Sequence, residues 1–98
     1  MSRTVLVRYR VRAEAVAQNL EMVRAVYKEL SVANPEGLRY STYRMDGQSF
    51  LHVAVIDGPG NPLDDVTAFR TFSAGIAERC EEGPEVVEGE IVGSYPTA

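Results

Sequence analysis

The chain carries one histidine, His52, and one cysteine, Cys80, and chemistry near neutral pH starts with these two. His52 lies in the run Phe50-Leu51-His52-Val53-Ala54, among apolar neighbours. A neutral imidazole can accept a proton from a phenol or hydroquinone, and its ordinary pKa lies close to working pH. Cys80 has no partner for an intrachain disulfide. It falls near the end of a helical pattern and reads as a partly buried small apolar residue, with no Cys–His nucleophile motif around it. One His, one Cys and no carboxylates at ligand spacing give a metal nothing to bind. Gly58-Pro59-Gly60 is not followed by Lys-Ser/Thr, so it reads as a loop and not a phosphate cradle. Glu81, Glu82, Glu85, Glu88 and Glu90 read as a solvated acidic edge. Tyr9, Tyr40 and Tyr43 read as packing groups with solvated hydroxyls. Arg8 and Arg10 sit in an apolar strand and need a carboxylate or a ligand anion there, most simply an intersubunit salt bridge.

These side chains must be positioned by a small set of elements. Thr4 to Arg12 alternate strictly, with Val5, Val7, Tyr9 and Val11 on one side, and predict a first strand. Val16, Leu20, Val23, Tyr27 and Leu30 then follow a helical period, closed by Asn34-Pro35-Glu36-Gly37. Two strands, Leu38–Met45 and Ser49–Ile56, flank Asp46-Gly47, a dipeptide suited to a tight hairpin turn. If Met45 faces Gln48, Ser41 lies opposite His52 and Tyr43 opposite Phe50. One face then carries Leu38, Tyr40, Thr42, Leu51, Val53 and Val55, the other Arg39, Ser41, Tyr43, Phe50, His52, Ala54 and Ile56. A three-residue loop would shift this register by one. A second helix starts near Leu63, shows Val66, Phe69, Phe72, Ile76 and Cys80 at helical spacing, and ends at Glu82-Gly83-Pro84. A last strand runs from about Val86 to Tyr95, with Gly89 and Gly93 marking bulges or an edge.

The 98 residues fit one domain, 1–98, with a core of modest size. Hydrophobic residues are 45% and charged residues 24%, which excludes long disorder. A net charge of −4 argues against nucleic acid as a partner, since phosphate neutralisation supplies most of such affinity. No apolar run approaches the roughly 20 residues of a membrane span, so the expected location is cytoplasmic.

Strand, helix, hairpin, helix, strand is the split β-α-β arrangement repeated once, an α+β, ferredoxin-like order. Right-handed crossovers put both helices on one face of an antiparallel four-stranded sheet. The hairpin is apolar on both faces, so the open sheet face must be covered, and a second copy of the chain is the simplest cover. A homodimer is therefore expected.

The stretch Pro35-Glu36-Gly37-Leu38-Arg39-Tyr40, the run Phe50-Leu51-His52-Val53 and Phe69-Arg70-Thr71-Phe72 resemble the antibiotic-biosynthesis-monooxygenase-type family of dimeric α/β-barrel proteins. The resemblance spans the chain as a pattern of short motifs. It implies two sheets face to face and, in each protomer, a pocket between sheet and helices. Family members include cofactor-free oxygenases of aromatic polyketides and quinols, haem-degrading enzymes, and proteins of no known activity. Family enzymes often have a Trp near the end of the third strand; Ile56 takes that place, and the chain has no Trp. The His often found early in the second helix is also absent from Asp65-Val66-Thr67-Ala68. Two functions follow. One is a cofactor-independent monooxygenase-like protein acting on a small aromatic or quinol, with His52 as base and Tyr43, Ser41, Phe50, Ile56 and Phe72 against the substrate. The other is a non-catalytic dimeric module, either binding a small ligand or purely structural.

Overall fold

The computed structural model describes residues 2–96. Strand β1 (Ser2–Val11) leads through a 3-10 turn, Ala13–Ala15, into helix α1 (Val16–Ala33). The hairpin β2 (Leu38–Met45) and β3 (Ser49–Asp57) follows, then a 3-10 turn at Pro62–Asp65, helix α2 (Thr67–Arg79) and strand β4 (Cys80–Gly89). The sheet is antiparallel throughout with order β2-β3-β1-β4. This is the ferredoxin-like arrangement expected from the element order, with β1 and β3 central and β4 on an edge.

The alternation in β1 holds. Tyr9 and Val11 point to the helices and are buried with Phe50, Val23, Val26, Val66 and Phe72. A smaller cluster, Ala54, Ile56 and Leu63, extends this core toward the other end of the sheet. Helix α1 ends where the sequence predicts, with Asn34 in the left-handed region (φ 45°) and its N–H donating to the Leu30 carbonyl. Helix α2 has no cap from its own first residues. Both Glu29 carboxylate oxygens, reaching over from α1, accept the N–H groups of Thr67 and Ala68.

Two expectations are corrected. The hairpin closes with Met45 opposite Ser49, not Gln48, so its loop holds three residues. Asp46 and Gly47 do take positive φ (39° and 85°). Gln48, however, is committed to β1: its carbonyl accepts the Val11 N–H and its side-chain amide donates to the Val11 carbonyl, both at 3.0 Å. Arg10 ties the turn further, donating to Asp46, Gln48 and Ser49. The pairs are therefore Thr42 with His52, Ser41 with Val53 and Tyr43 with Leu51. Leu38, Tyr40 and Thr42 share the helix-side face with Phe50, His52, Ala54 and Ile56, and Arg39, Ser41 and Tyr43 share the open face with Leu51, Val53 and Val55.

Helix α2 and strand β4 also depart from the sequence expectation. Pro62–Asp65 is a separate 3-10 turn, α2 ends at Arg79, and β4 begins at Cys80 with no intervening loop. Gly83-Pro84 reads as a stop signal but sits inside β4, where the pairing with β1 shifts register between Arg8 and Arg10. Gly83 has φ +81°, and a Cβ there would lie 2.9 Å from the Arg8 carbonyl oxygen. Only glycine allows that backbone approach, which is how a bulge can mimic a terminator. Residues 90–96 are outside the strand.

Candidate functional site

Register decides what surrounds His52. Its ring projects toward the helices, is only 4% exposed, and packs against the Phe72 ring at 5.2 Å between centroids. Both nitrogens are engaged. Nε2 lies 2.7 Å from the Tyr9 hydroxyl, and Nδ1 lies 2.6 Å from the Tyr40 hydroxyl and 3.1 Å from Thr42 Oγ1. The network continues in both directions. Thr42 Oγ1 is 2.7 Å from the Tyr27 hydroxyl. On the other side Asn19, wholly buried in α1, donates from Nδ2 to the Tyr9 hydroxyl at 2.9 Å. Arg79, 5% exposed at the end of α2, donates from Nε to Asn19 Oδ1 at 3.1 Å and from Nη2 to the Phe72 carbonyl. Among the described residues no buried side-chain nitrogen or oxygen is left without a partner.

The electrostatics follow from burial. Loss of water disfavours imidazolium and lowers the His52 pKa from 6.5 to about 4, so the ring is neutral at pH 7. Burial also raises the Tyr9 and Tyr40 hydroxyls well above the usual phenol value and lowers Arg79. Both of these tyrosines therefore keep their protons at neutral pH.

Beside this network lies a cavity of about 270 Å³, walled by Val5, Val7, Tyr40, His52, Ala54, Phe69, Phe72, Ser73 and Ile76, with Leu63 and Asn61 at one end and Pro84 and Val86 along β4. Val86 is 64% exposed, which puts the access along the β4 edge. The walls are apolar apart from Tyr40, His52, Ser73 and Asn61, and among the described residues no Asp, Glu, Lys or Arg lines them. An apolar cavity of about 150 Å³ accepts a single benzene ring, so this one suits one or two rings. Among the described residues no group of His, Cys, Asp and Glu could hold a metal ion, and no helix is long and apolar enough to cross a membrane.

The sequence-predicted site residues separate under this geometry. His52 and Phe72 line the cavity. Tyr43, 54% exposed, and Ser41 are on the open sheet face, removed from His52 by the one-residue register shift. Phe50 faces the helices but is sealed in the core, stacked on Tyr9 at 5.5 Å. Ile56 is also fully buried, packed with Ala54 and Leu63 and not part of the cavity wall. The Tyr9 hydroxyl is not solvated but buried against His52 and Asn19. Arg10 pairs within its own chain, with Asp46 at 3.2 Å and Glu81 at 3.6 Å, while Arg8 is exposed on the open face. Cys80 begins β4, and burial raises its thiol pKa. Sequence reasoning missed Asn19, Thr42 and Arg79, and it read Tyr9 and Tyr40 as packing groups with solvated hydroxyls, whereas both hydroxyls are bonded to His52.

No protein-family model and no curated protein matches the chain. Solved structures do. A conserved protein from Methanosarcina mazei Go1 superposes with a TM-score of 0.74 at 13% identity, covering 91% of each chain. A candidate antibiotic biosynthesis monooxygenase from Nitrosomonas europaea gives 0.74 at 17% identity, over 99% of this chain and 94% of that one. A mutant form of SnoaB, a cofactor-independent oxygenase from Streptomyces nogalater, gives 0.69 at 16% identity over 98% of each chain. The resemblance read from the sequence thus holds in three dimensions, and the chain has the ferredoxin-like fold of the antibiotic-biosynthesis-monooxygenase-type proteins.

Proposed function

We propose that the chain is a cofactor-independent oxygenase that binds a one- or two-ring quinol or hydroxyaromatic in the cavity beside α2. The observation that carries this reading is an apolar, ring-sized cavity whose main polar wall is the hydrogen-bonded pair Tyr40–His52. The fold shared with a cofactor-independent oxygenase supports it. The substrate oxygen meets the Tyr40 hydroxyl, which His52 holds in place, because both His52 nitrogens already have protein partners. Such a substrate, as its anion, is electron-rich enough to react with dioxygen, and the protein's task is to bind it, hold the anion's oxygen and exclude water. With a dihydroxynaphthalene the balance is simple. The substrate supplies four electrons, one oxygen atom forms a new C–O bond on the ring, the other leaves as water, and the product is a hydroxyquinone.

The test is oxygen uptake with 1,4-dihydroxynaphthalene. The protein should accelerate uptake without producing peroxide, and Tyr40→Phe and His52→Ala should each slow it about 100-fold or more, as for loss of a donor to the reacting anion. Uptake no faster than in buffer, or unchanged in both variants, removes the assignment.

One observation favours a non-catalytic ligand-binding module: burial makes His52 a weak base. A binder would hold the same quinol tightly under air with no oxygen uptake.

The same reading makes the protein a homodimer. Leu6, Leu51, Val53, Val55 and Val87 form an apolar stripe on the open sheet face, half-buried at best within one chain, and a second copy would cover it. The protein works in the cytoplasm on this reading, in keeping with its lone thiol.

A further inference from the structure

Arg79 is a buried cation with no carboxylate within ion-pair distance among the described residues. Such a charge is costly unless its hydrogen bonds are well made or it serves a function. The guanidinium packs over Gly75, one turn earlier in α2: a Cβ there would lie 2.8 Å from Arg79 Nη1, the tip of the side chain. Glycine inside a helix is disfavoured relative to alanine, and here the guanidinium lies against it.

The direction of each hydrogen bond in the network can be deduced from that end. A guanidinium only donates, so Asn19 must present Oδ1 to Arg79 and Nδ2 to Tyr9. The Tyr9 oxygen therefore accepts from Asn19, and among the described residues its own proton has one hydrogen-bond acceptor, His52 Nε2. Nε2 as acceptor places the imidazole proton on Nδ1, which donates to the Tyr40 oxygen and to Thr42. Tyr40 keeps its own proton, which can turn to Thr42 or to a ligand in the cavity it lines. Every bond from Arg79 to Tyr40 thus points the same way, and hydrogen bonds aligned in series polarise one another.

The geometry points to a one-way donor chain, from the Arg79 guanidinium through Asn19, Tyr9 and His52 to the Tyr40 hydroxyl, that binds the cavity's ligand by an anionic phenolate or enolate oxygen. This rests on the quinol-pocket reading and deepens it: Tyr40 touches the ligand, while Arg79 and Asn19 act at a distance as positioning residues that set the His52 tautomer. The ionisable groups facing the chain are Tyr27, across Thr42, and Cys80, beside Arg79. Neither is a carboxylate, and neither lines the cavity, so nothing there opposes a bound anion.

The test uses the single histidine as its own reporter. Nitrogen-15 NMR of the unliganded protein should show a pyridine-type Nε2 and a protonated, pyrrole-type Nδ1. In Asn19→Asp, which is isosteric, the carboxylate accepts a hydrogen bond from the Tyr9 hydroxyl, the Tyr9 oxygen then accepts from His52, and the tautomer should switch to Nε2–H. A role in packing alone would not move that signature. The second readout is 4-nitrophenol, whose two protonation states absorb differently. Bound to the native protein it should be at least one pKa unit more acidic than free, which is about tenfold tighter binding of phenolate than of phenol. In Asn19→Asp and Arg79→Gln that preference should disappear. A native Nε2–H tautomer, or a probe bound with unchanged acidity, overturns the donor chain. Failure of the probe to bind in either form removes the pocket reading instead, and the tautomer still decides the direction of the chain.

Discussion

Acid should destabilise this fold through one residue. His52 is buried and neutral, with a pKa of about 4 against 6.5 for an exposed imidazole. The unfolded chain takes up a proton as pH falls through 6.5, and the folded chain does not until about 4. Between these values the unfolded state holds one more proton, so stability is fully present above 6.5 and is lost as pH falls. The shift corresponds to about 3 kcal/mol, with a limiting slope of about 1.4 kcal/mol per pH unit. That is a large part of the roughly 5–15 kcal/mol typical of a domain's total stability. Asp46, held below its usual carboxylate range by hydrogen bonding from Ser49, is exposed and titrates too low to mimic the effect. Urea unfolding followed by circular dichroism at fixed protein concentration, from about pH 7.5 to about 4.5, measures the slope. His52→Gln should be less stable at pH 7 because it loses hydrogen bonds to Tyr9 and Tyr40, yet nearly flat with pH over this window. A flat native profile, or the same slope in His52→Gln, would refute the assignment of the buried neutral imidazole.

Gly83→Ala should cost about 1–3 kcal/mol, since φ +81° and the Arg8 carbonyl both reject a Cβ; a thermal melt within one degree of native would contradict the bulge. Glu29→Ala should cost about 1 kcal/mol by uncapping α2, and amide exchange at Thr67 and Ala68 should accelerate. Val53→Lys, on the open face, should convert a dimer to monomers in sedimentation velocity with the cavity side intact, whereas an unchanged sedimentation coefficient would place the interface elsewhere.

Much of the fold was legible because burial imposes periods. Alternation from Val5 to Val11 and the stripe from Val16 to Leu30 are set by one buried face each, and both occur in the structure as read. The hairpin register was not legible. It depends on Gln48 bonding to Val11, a residue 37 positions away, and no local rule reports such a contact. Gly83-Pro84 misled for a related reason: a bulge needing positive φ and a helix stop draw on the same residues. The site's remote members did leave a trace. Asn19 interrupts the apolar stripe between Val16 and Val23, and Arg79 continues the Phe72–Ile76 stripe of α2. A polar residue on a buried face needs partners, and asking where those partners lie leads from Asn19 and Arg79 to Tyr9. The open-face placement of Ser41 and Tyr43 then follows from register alone.

Everything proposed for the cavity depends on a quinol entering it and setting its oxygen on Tyr40. Titrating isotope-labelled protein with 1,4-dihydroxynaphthalene under argon, followed by NMR, isolates that binding step from any turnover. Saturable shifts are expected at Phe69, Phe72 and Ile76 and at the His52 ring, with the His52 shift lost when Tyr40 is replaced by Phe. No saturable shift, or shifts confined to Leu51, Val53 and Tyr43 on the open face, would contradict it.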